Sequence, residues 1–307
     1  MSIATGSVRI GTRGSPMALA QAYRVAAALA TASELVTIST HGDRWMGSLA
    51  AAGGKGAFVR EIDRALLGGE IDIAVHCLKD VPGDVPVPDG VAFAAYLDRE
   101  DVHDCVVTGD GRKLADLPAG ATVGTSSVRR RAQLARHWPY LRLAPMRGNV
   151  NTRLAKLDRG EVDALILAVS GLHRVGQGDR IAEVPPADMI IPPVGAGVIA
   201  LQVRADDAAT RTLTQPLDHE DTALAAAAER AMLWALRGHC HSPIAGHAVI
   251  DADGQLSLRG AVYSPDGTTV VQASRSGPAA GAAAVGQAVA EDLLGQGARR
   301  LIDAIPH

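Results

Sequence analysis

Gly69–Pro82 reads GEIDIAVHCLKDVP, and the reading of this stretch decides the fold. Ile71, Ile73 and Val75 alternate with Asp72 and Ala74, and apolar residues then continue to Lys79 and Asp80. A short run of this kind, closed by a proline that cannot donate to a ladder, is a buried strand. In α/β sheets ligands collect beyond the carboxyl ends of strands, so Lys79 and Asp80 are delivered to the place where chemistry usually occurs. A Lys-Asp pair in a loop also reads as a structural ion pair, and these residues alone leave both readings open.

Upstream, Val8–Gly11 is a short strand, followed by Thr12-Arg13-Gly14-Ser15-Pro16 and a helix from Met17 to about Ala30. Ser15 is a natural N-cap, with Pro16 at the first helical position. A strand feeding a helix through a glycine turn makes an anion site of free N–H groups, to which Arg13 adds a charge. The plainer reading is a capped helix beside a solvated arginine. Leu35–Ser39 is the next strand, and a glycine-rich loop then runs through His41-Gly42-Asp43-Arg44 to Gly53-Gly54-Lys55-Gly56. The spacing of a phosphate loop is missing, so Lys55 reads as a mobile cation on a segment suited to covering a site. A helix over Phe58–Leu67, with Arg60 and Arg64 four apart, leads into the central strand.

Downstream, Val91–Tyr96 is another strand, and Asp98-Arg99-Glu100-Asp101 is a charged break suited to a crossover between domains. From Asp104 a second α/β set begins: strand Thr122–Gly124, turn Thr125-Ser126-Ser127, helix Val128–Arg136, a strand near Leu141–Ala144, helix Asn151–Asp158 and strand Ala164–Val169. Arg129, Arg130 and Arg131 fall in the first turn of one helix. Arg147-Gly148-Asn149 and Arg153 fall at the start of the next, and Arg174 follows Gly171-Leu172-His173. A cation at a helix N-terminus opposes the macrodipole, so stability does not account for this repeated placement, whereas an anionic ligand does. Guanidinium forks suit carboxylates and phosphates, so the pattern anticipates a small polyanion in a cleft between two α/β lobes.

Pro192-Pro193-Val194-Gly195-Ala196-Gly197 forms a stiff hinge-like segment, and the apolar strand Val198–Val203 is expected to return to the first lobe. An alanine-rich helix over Asp221–Leu236 ends at Gly238-His239-Cys240-His241. Three strands, Ala245–Ile250, Leu256–Ser264 and Thr269–Ser274, are joined by Asp253-Gly254 and Asp266-Gly267 turns. A final helix is expected over Ala282–Ala304. The expected division is residues 1–97, completed by 194–214, as one α/β lobe; 98–193 as the second; and 215–307 as a separate α+β domain with a three-stranded antiparallel sheet.

Composition narrows the function. Among the 307 residues 47% are apolar, and Gly and Pro interrupt them often, as in a globular α/β protein. Aromatics are only 3% and the net charge is −3, which excludes base-stacking platforms and general polyanion binding, so no nucleic-acid partner is expected. No basic start precedes an apolar core, and no run approaches the ~18 apolar residues of a membrane span. Three widely separated cysteines make no disulfide framework. The expectation is a reduced, cytoplasmic protein with no membrane contact. Cys77 and Cys105 lie in apolar strands and read as structural, whereas Cys240 sits in a loop between two histidines. It reads as an inert thiol, as a metal ligand, or as a reactive thiol favoured by neighbouring imidazolium. Adjacent residues rarely close on one ion and no second ligand pair is present, so no metal is expected.

With these residues assembled, the chain resembles porphobilinogen deaminase (hydroxymethylbilane synthase). The likeness runs through GTRGSPMALAQ, GGKGAFVREI, DIAVHCLKDVP, VGTSSVRRRAQL, MRGNVNTRLAKLDRGEVDALILAVSGLHRVG, PPVGAG and a late Cys followed by Pro, in order over nearly the whole length. The resemblance implies two lobes similar to periplasmic binding proteins and a third, cysteine-bearing domain. It implies a dipyrromethane cofactor attached through a thioether to Cys240. On that primer four porphobilinogen units are deaminated and condensed head to tail, and a linear tetrapyrrole is released. Asp80 takes the catalytic position; Lys79, Ser127, Arg129 and Arg130 fall at cofactor contacts. Arg13, Ser15, Lys55, Arg147, Asn149, Arg153 and Arg174 fall at contacts to the substrate's acetate and propionate groups. A monomer is expected from the resemblance alone. Some positions depart from the family pattern: His239 and His241 flank the cysteine, Ala196 replaces a common Gln, Arg60 a common Lys and Cys77 a common Ser. These leave room for a paralogue acting on a related pyrrole; a two-lobed carboxylate binder is the alternative outside enzymes.

Overall fold

The structure, a computed structural model, describes residues 7–45, 56–238 and 242–304. Lys55 and the His239-Cys240-His241 segment fall outside the described residues.

The first sheet holds β1 (Val8–Arg13), β2 (Ser33–Ile38), β3 (Ile73–Cys77), β4 (Val91–Tyr96) and β9 (Ile199–Arg204) in the order β2-β1-β3-β9-β4. β1 runs parallel to β2 and β3, and β9 lies antiparallel between β3 and β4. The second sheet holds β5 (Asp104–Thr108), β6 (Thr122–Gly124), β7 (Arg142–Ala144) and β8 (Ala164–Ala168) in the order β5-β8-β6-β7, with only β5 antiparallel. Each sheet thus takes an antiparallel strand from just beyond a crossing between the two. The crossings are themselves bonded: the Leu97 amide donates to the Ile199 carbonyl at 3.0 Å and the Glu100 amide to Gly197 at 2.9 Å.

The central strand forms as its alternation predicts, with Ile73 and Val75 buried against α1 (Pro16–Ala28). Beyond Cys77 the chain does not extend further but tightens into a 3₁₀ turn over Leu78–Asp80. Leu78 is buried there, and Lys79 and Asp80 stand half-buried at the strand's carboxyl end. The His41–Arg44 segment, expected as loop, is a single helical turn, α2, capped through Thr40 and Asp43. α3 (Arg60–Leu67) follows the described part of that connection.

In the second lobe α4 (Val128–His137), α5 (Val150–Asp158) and α6 (Val169–Arg174) each follow a strand or its turn. Two cores fill the two faces of its sheet, one around Ile166 and Leu134, the other around Leu165 and Leu172. After β9 come α7 (Ala208–Thr214) and α8 (Glu220–Ala235). β10 (Ile244–Ile250), β11 (Gln255–Tyr263) and β12 (Val270–Pro278) then form an antiparallel sheet with α8 and α9 (Ala282–Gly295) packed on it. α8 and α9 approach closely, since a Cβ on Gly286 would stand 2.1 Å from the Ala228 carbonyl oxygen. The final helix is not continuous to Ala304. It stops at Gly295, Gly297 takes φ +95°, and α10 (Ala298–Asp303) restarts. Glycine permits that left-handed turn at no steric cost, which the apolar pattern alone did not register. The fold class read from the sequence is borne out: mixed α/β sheets followed by a C-terminal three-stranded antiparallel sheet.

Candidate active site

The first lobe contributes a small cavity of about 30 Å³ lined by Arg13, Ser15, Gln21, Phe58, His76, Cys77 and Asp80. Ser15 caps α1, its hydroxyl accepting the Ala18 amide at 3.3 Å. Arg13 ends β1 and forks onto Asp43, with Nε at 3.1 Å and Nη2 at 2.5 Å from Oδ1, while its guanidinium lies 4.2 Å from the Phe58 ring centroid. Burial weakens the Arg13 charge, but Asp43 and the nearby Asp80 carboxylate outweigh it and hold the group above its ordinary value. Burial also pushes the Asp43 carboxyl up, and the bonds from Arg13 and Thr40 bring it below the ordinary range. Among the described residues Asp80 makes no hydrogen bond or ion pair, and Lys79 is not its partner. The ion-pair reading of the two is therefore not realised. Gly195, at φ +74°, lets the returning segment press on this turn, since a Cβ there would lie 2.8 Å from the Lys79 amide nitrogen.

His76, inside the same cavity wall, is buried and kept neutral, its pKa drawn down to about 4 by burial and by the Arg13 charge.

The second lobe contributes the arginines. Ser127 caps α4 by accepting the Arg130 amide at 3.4 Å. Arg129 Nη2 donates to Asp104 Oδ2 at 2.6 Å and Nη1 to the Ile191 carbonyl at 2.5 Å. Arg130 forks onto the same carboxylate at 2.6 and 3.0 Å and donates to the Ile166 carbonyl at 3.0 Å. Asp104 is buried; burial raises its carboxyl, but the two guanidinium charges outweigh this and hold it far below the usual carboxylate range. This corrects the macrodipole argument for two of the cations. Arg129 and Arg130 have a structural reason to sit at a helix start, a buried acid that sequence spacing did not disclose.

Arg147 and Arg153 make different contacts. Arg147 Nη2 reaches the Trp45 carbonyl of the first lobe at 3.4 Å. Asn149 caps α5, its Oδ1 accepting from the Thr152 amide at 2.9 Å. Arg153 Nε donates to the Gly148 carbonyl at 2.8 Å, and no carboxylate among the described residues pairs with its guanidinium. Burial, then the charges of Arg130 and Arg147, depress its pKa to about 10, so it remains a cation at neutral pH in a locally positive field. Arg174 ends α6, pairs with Glu100, and brings Nη1 to 3.9 Å from Cys77 Sγ.

The structure thus unites Arg13, Ser15 and Asp80 in one cavity and sets Arg130, Arg147 and Arg153 in one field. Arg147 and Arg174 link the lobes. Asp43, Glu100 and Asp104 were not anticipated; an acid opening an otherwise apolar strand, as Asp104 does, was the available signal. Arg153 and Arg174, with unspent guanidinium donors, fit a group bearing several carboxylates, as a dipyrromethane does. Among the described residues no cluster of three or more His, Cys, Asp or Glu is placed to hold a metal ion, and no helix is long and apolar enough to cross a membrane.

Two family models match the chain. Residues 8–212 match the dipyromethane cofactor binding domain of porphobilinogen deaminase, and residues 223–295 its C-terminal domain. This chain belongs to the porphobilinogen deaminase family. Porphobilinogen deaminase 2 of Streptomyces coelicolor is 52% identical over 305 residues, covering 98% of this chain and 97% of that protein. Porphobilinogen deaminase of Chromobacterium violaceum is 46% identical over 303 residues, covering 96% and 97%. Of solved structures, the methionine binding protein MetQ aligns over 69% of this chain and 89% of its own, at 12% identity and a TM-score of 0.40. In this chain the match to the porphobilinogen deaminase cofactor binding domain covers both sheets, including the returning strand β9 of the first.

Proposed function

We propose that the chain is a hydroxymethylbilane synthase, a transferase that deaminates porphobilinogen and condenses four units head to tail into a linear tetrapyrrole for porphyrin and haem biosynthesis. The observation that carries this reading is the Asp80 carboxylate, which has no hydrogen bond or ion pair among the described residues and shares a cavity with Arg13 and Ser15 at a strand's carboxyl end, together with Arg153, whose guanidinium no described carboxylate pairs. Each substrate brings two carboxylates, so a lengthening chain needs many cations in one cleft. When bound, the dipyrromethane group supplies the pyrrole carbon to which the first unit is joined.

Arg13 and Ser15 offer a donor and a hydroxyl beside Asp80 and orient a carboxylated pyrrole against it. Loss of ammonia from the aminomethyl group leaves an electron-poor pyrrole cation. The Asp80 carboxylate, held near Arg13 but not bonded to it, stabilises that cation at the ring nitrogen and accepts the proton released on coupling. Lys79, Ser127, Arg129 and Arg130 hold the primer's carboxylates; Arg147, Asn149, Arg153, Arg174 and Lys55 hold those of the added units. Cys240 is the tether, formed once and kept through turnover. The domain division proposed is 1–97 with 194–214, then 98–193, then 215–307. The protein is proposed to work as a cytoplasmic monomer without nucleic-acid partners.

The test is the intact mass of the purified protein and of Cys240→Ser, each before and after porphobilinogen. A mass excess of two linked pyrroles, absent from the variant, supports the reading. No excess in either, even after incubation, rejects it.

A further inference from the structure

Glu100 stands on the first crossing between the lobes and is fixed there by backbone. Its amide is bonded to the Gly197 carbonyl at 2.9 Å, and a Cβ on Gly197 would lie 2.2 Å from the Glu100 carbonyl oxygen. Its side chain, 19% exposed, reaches two ways. Oε1 accepts from Arg24 Nη1 of α1 at 2.6 Å, and Oε2 pairs with Arg174 Nη2 of α6. One carboxylate is therefore shared by arginines from helices of different lobes.

The two arginines are unequal. Arg24 is 45% exposed, so water competes for its charge, whereas Arg174 is 12% exposed. The Arg174 Nε is buried and has no hydrogen-bond partner among the described residues, and its Nη1 has only the Cys77 sulfur at 3.9 Å. A sulfur at that distance is a weak acceptor. The guanidinium thus carries an acid on one edge and unspent donors on the other, beside Cys77 at the end of β3. A buried donor left unmade is costly, so the group is set to take a second carboxylate or to exchange the one it has.

We propose that Glu100 is a positioning and specificity residue: a resident carboxylate that occupies Arg174 until an acetate or propionate group of the pyrrole chain displaces it. The inference rests on the deaminase reading above. The exchange trades one carboxylate for another on the same guanidinium and leaves Glu100 on Arg24. Charge pairing is conserved, so the chain is gripped without being trapped and is released as it advances. The backbone bond to Gly197 keeps the displaced carboxylate within reach, ready to return.

Removing the resident acid should therefore tighten the hold on substrate. In steady-state assays with porphobilinogen, Glu100→Gln is expected to lower KM about five- to tenfold without raising kcat, a coupling of ordinary size. Protein quenched under limiting substrate and weighed intact should show adducts of added pyrroles that outlive those of the wild type. A KM that is unchanged or raised, or adducts of wild-type lifetime, overturns the proposal. So does a fall in kcat and melting temperature with KM constant, the signature of a purely structural residue. If Glu100→Gln does not fold, Glu100→Asp draws the acid back from Arg174 and must shift KM the same way. Wild-type protein that forms no adduct overturns the deaminase reading and this inference together; normal wild-type adducts beside an unshifted variant overturn this inference alone.

Discussion

The Arg99 guanidinium lies 2.8 Å from the Glu229 carboxylate, which is wholly removed from solvent. Glu229 also accepts the amides of Gly195 at 2.7 Å and Ala248 at 2.8 Å, while Arg99 donates to the carbonyls of Ala196 at 2.9 Å and Ala248 at 3.2 Å. The pair therefore joins both crossings of the two lobes to α8 and β10. Every oxygen of the carboxylate is used, which is the condition under which a buried ion pair is tolerated.

Breaking that pair from one side strands the other charge. Glu229→Ala is expected to cost roughly 3–5 kcal/mol in urea unfolding, because Arg99 and two amides lose their acceptor inside the protein. Glu229→Gln, which keeps the shape and one acceptor, should lose less. Equal stability of Glu229→Ala and wild type would show that the junction does not hold the domains.

Asp80→Asn removes the charge and keeps the size. Turnover is expected to fall by about 10²–10⁴, the range for removing an electrostatic or proton-transfer group. The intact mass should still include the primer, since the arginines that hold it are untouched. Turnover within tenfold of wild type would move the catalytic role elsewhere.

Asp104 makes stability depend on acid. Its folded pKa lies far below the 3.8 of the free carboxyl, so below neutrality the unfolded state binds the proton first. The stabilisation is complete above about pH 5 and is lost as pH falls through the carboxylate range toward the folded pKa. Asp104→Asn should lower stability at pH 7 by about 3–5 kcal/mol, leaving Arg129 and Arg130 without their acid. It should also flatten the slope of stability between pH 5 and 3, which thermal melts across that interval would measure.

Arg153, half-buried, should behave in the opposite way to most residues of a folded protein. Its charge is crowded by Arg130 and Arg147, so Arg153→Gln is expected to leave the melting temperature of the ligand-free protein unchanged or slightly raised. The KM for porphobilinogen should rise about tenfold or more, as befits the loss of a charge-assisted bond worth roughly 1.5–3 kcal/mol. A variant that melts lower while keeping its KM would mark Arg153 as structural.

Much of this was legible in the chain. The alternation of Ile71, Ile73 and Val75 located the central strand, and Ser15 announced a helix start as its N-cap, whereas the caps Ser127 and Asn149 came only with the structure. What escaped were partners remote in sequence. Arg130 and Asp104 are 26 residues apart and Arg13 and Asp43 are 30 apart; strand order brings them together, and local periodicity carries no information on strand order. The break at Gly295-Gln296-Gly297 was missed for a different reason: the apolar spacing of α9 continues into α10, and only backbone conformation separates them.

The two bonded crossings have a mechanical consequence. A single linker would let the lobes swing and twist independently, but two antiparallel strands tied at Leu97–Ile199 and Glu100–Gly197 form a ribbon that resists torsion and yields to bending. Bending of that ribbon defines one axis, beside which Gly195 and Gly197 hold positive φ. Glu229 is bolted to that axis rather than to either lobe, through Arg99 on one strand and Gly195 on the other. Because Glu229 belongs to α8, that helix is fastened to the ribbon itself, and a bend there would leave its attachment in place.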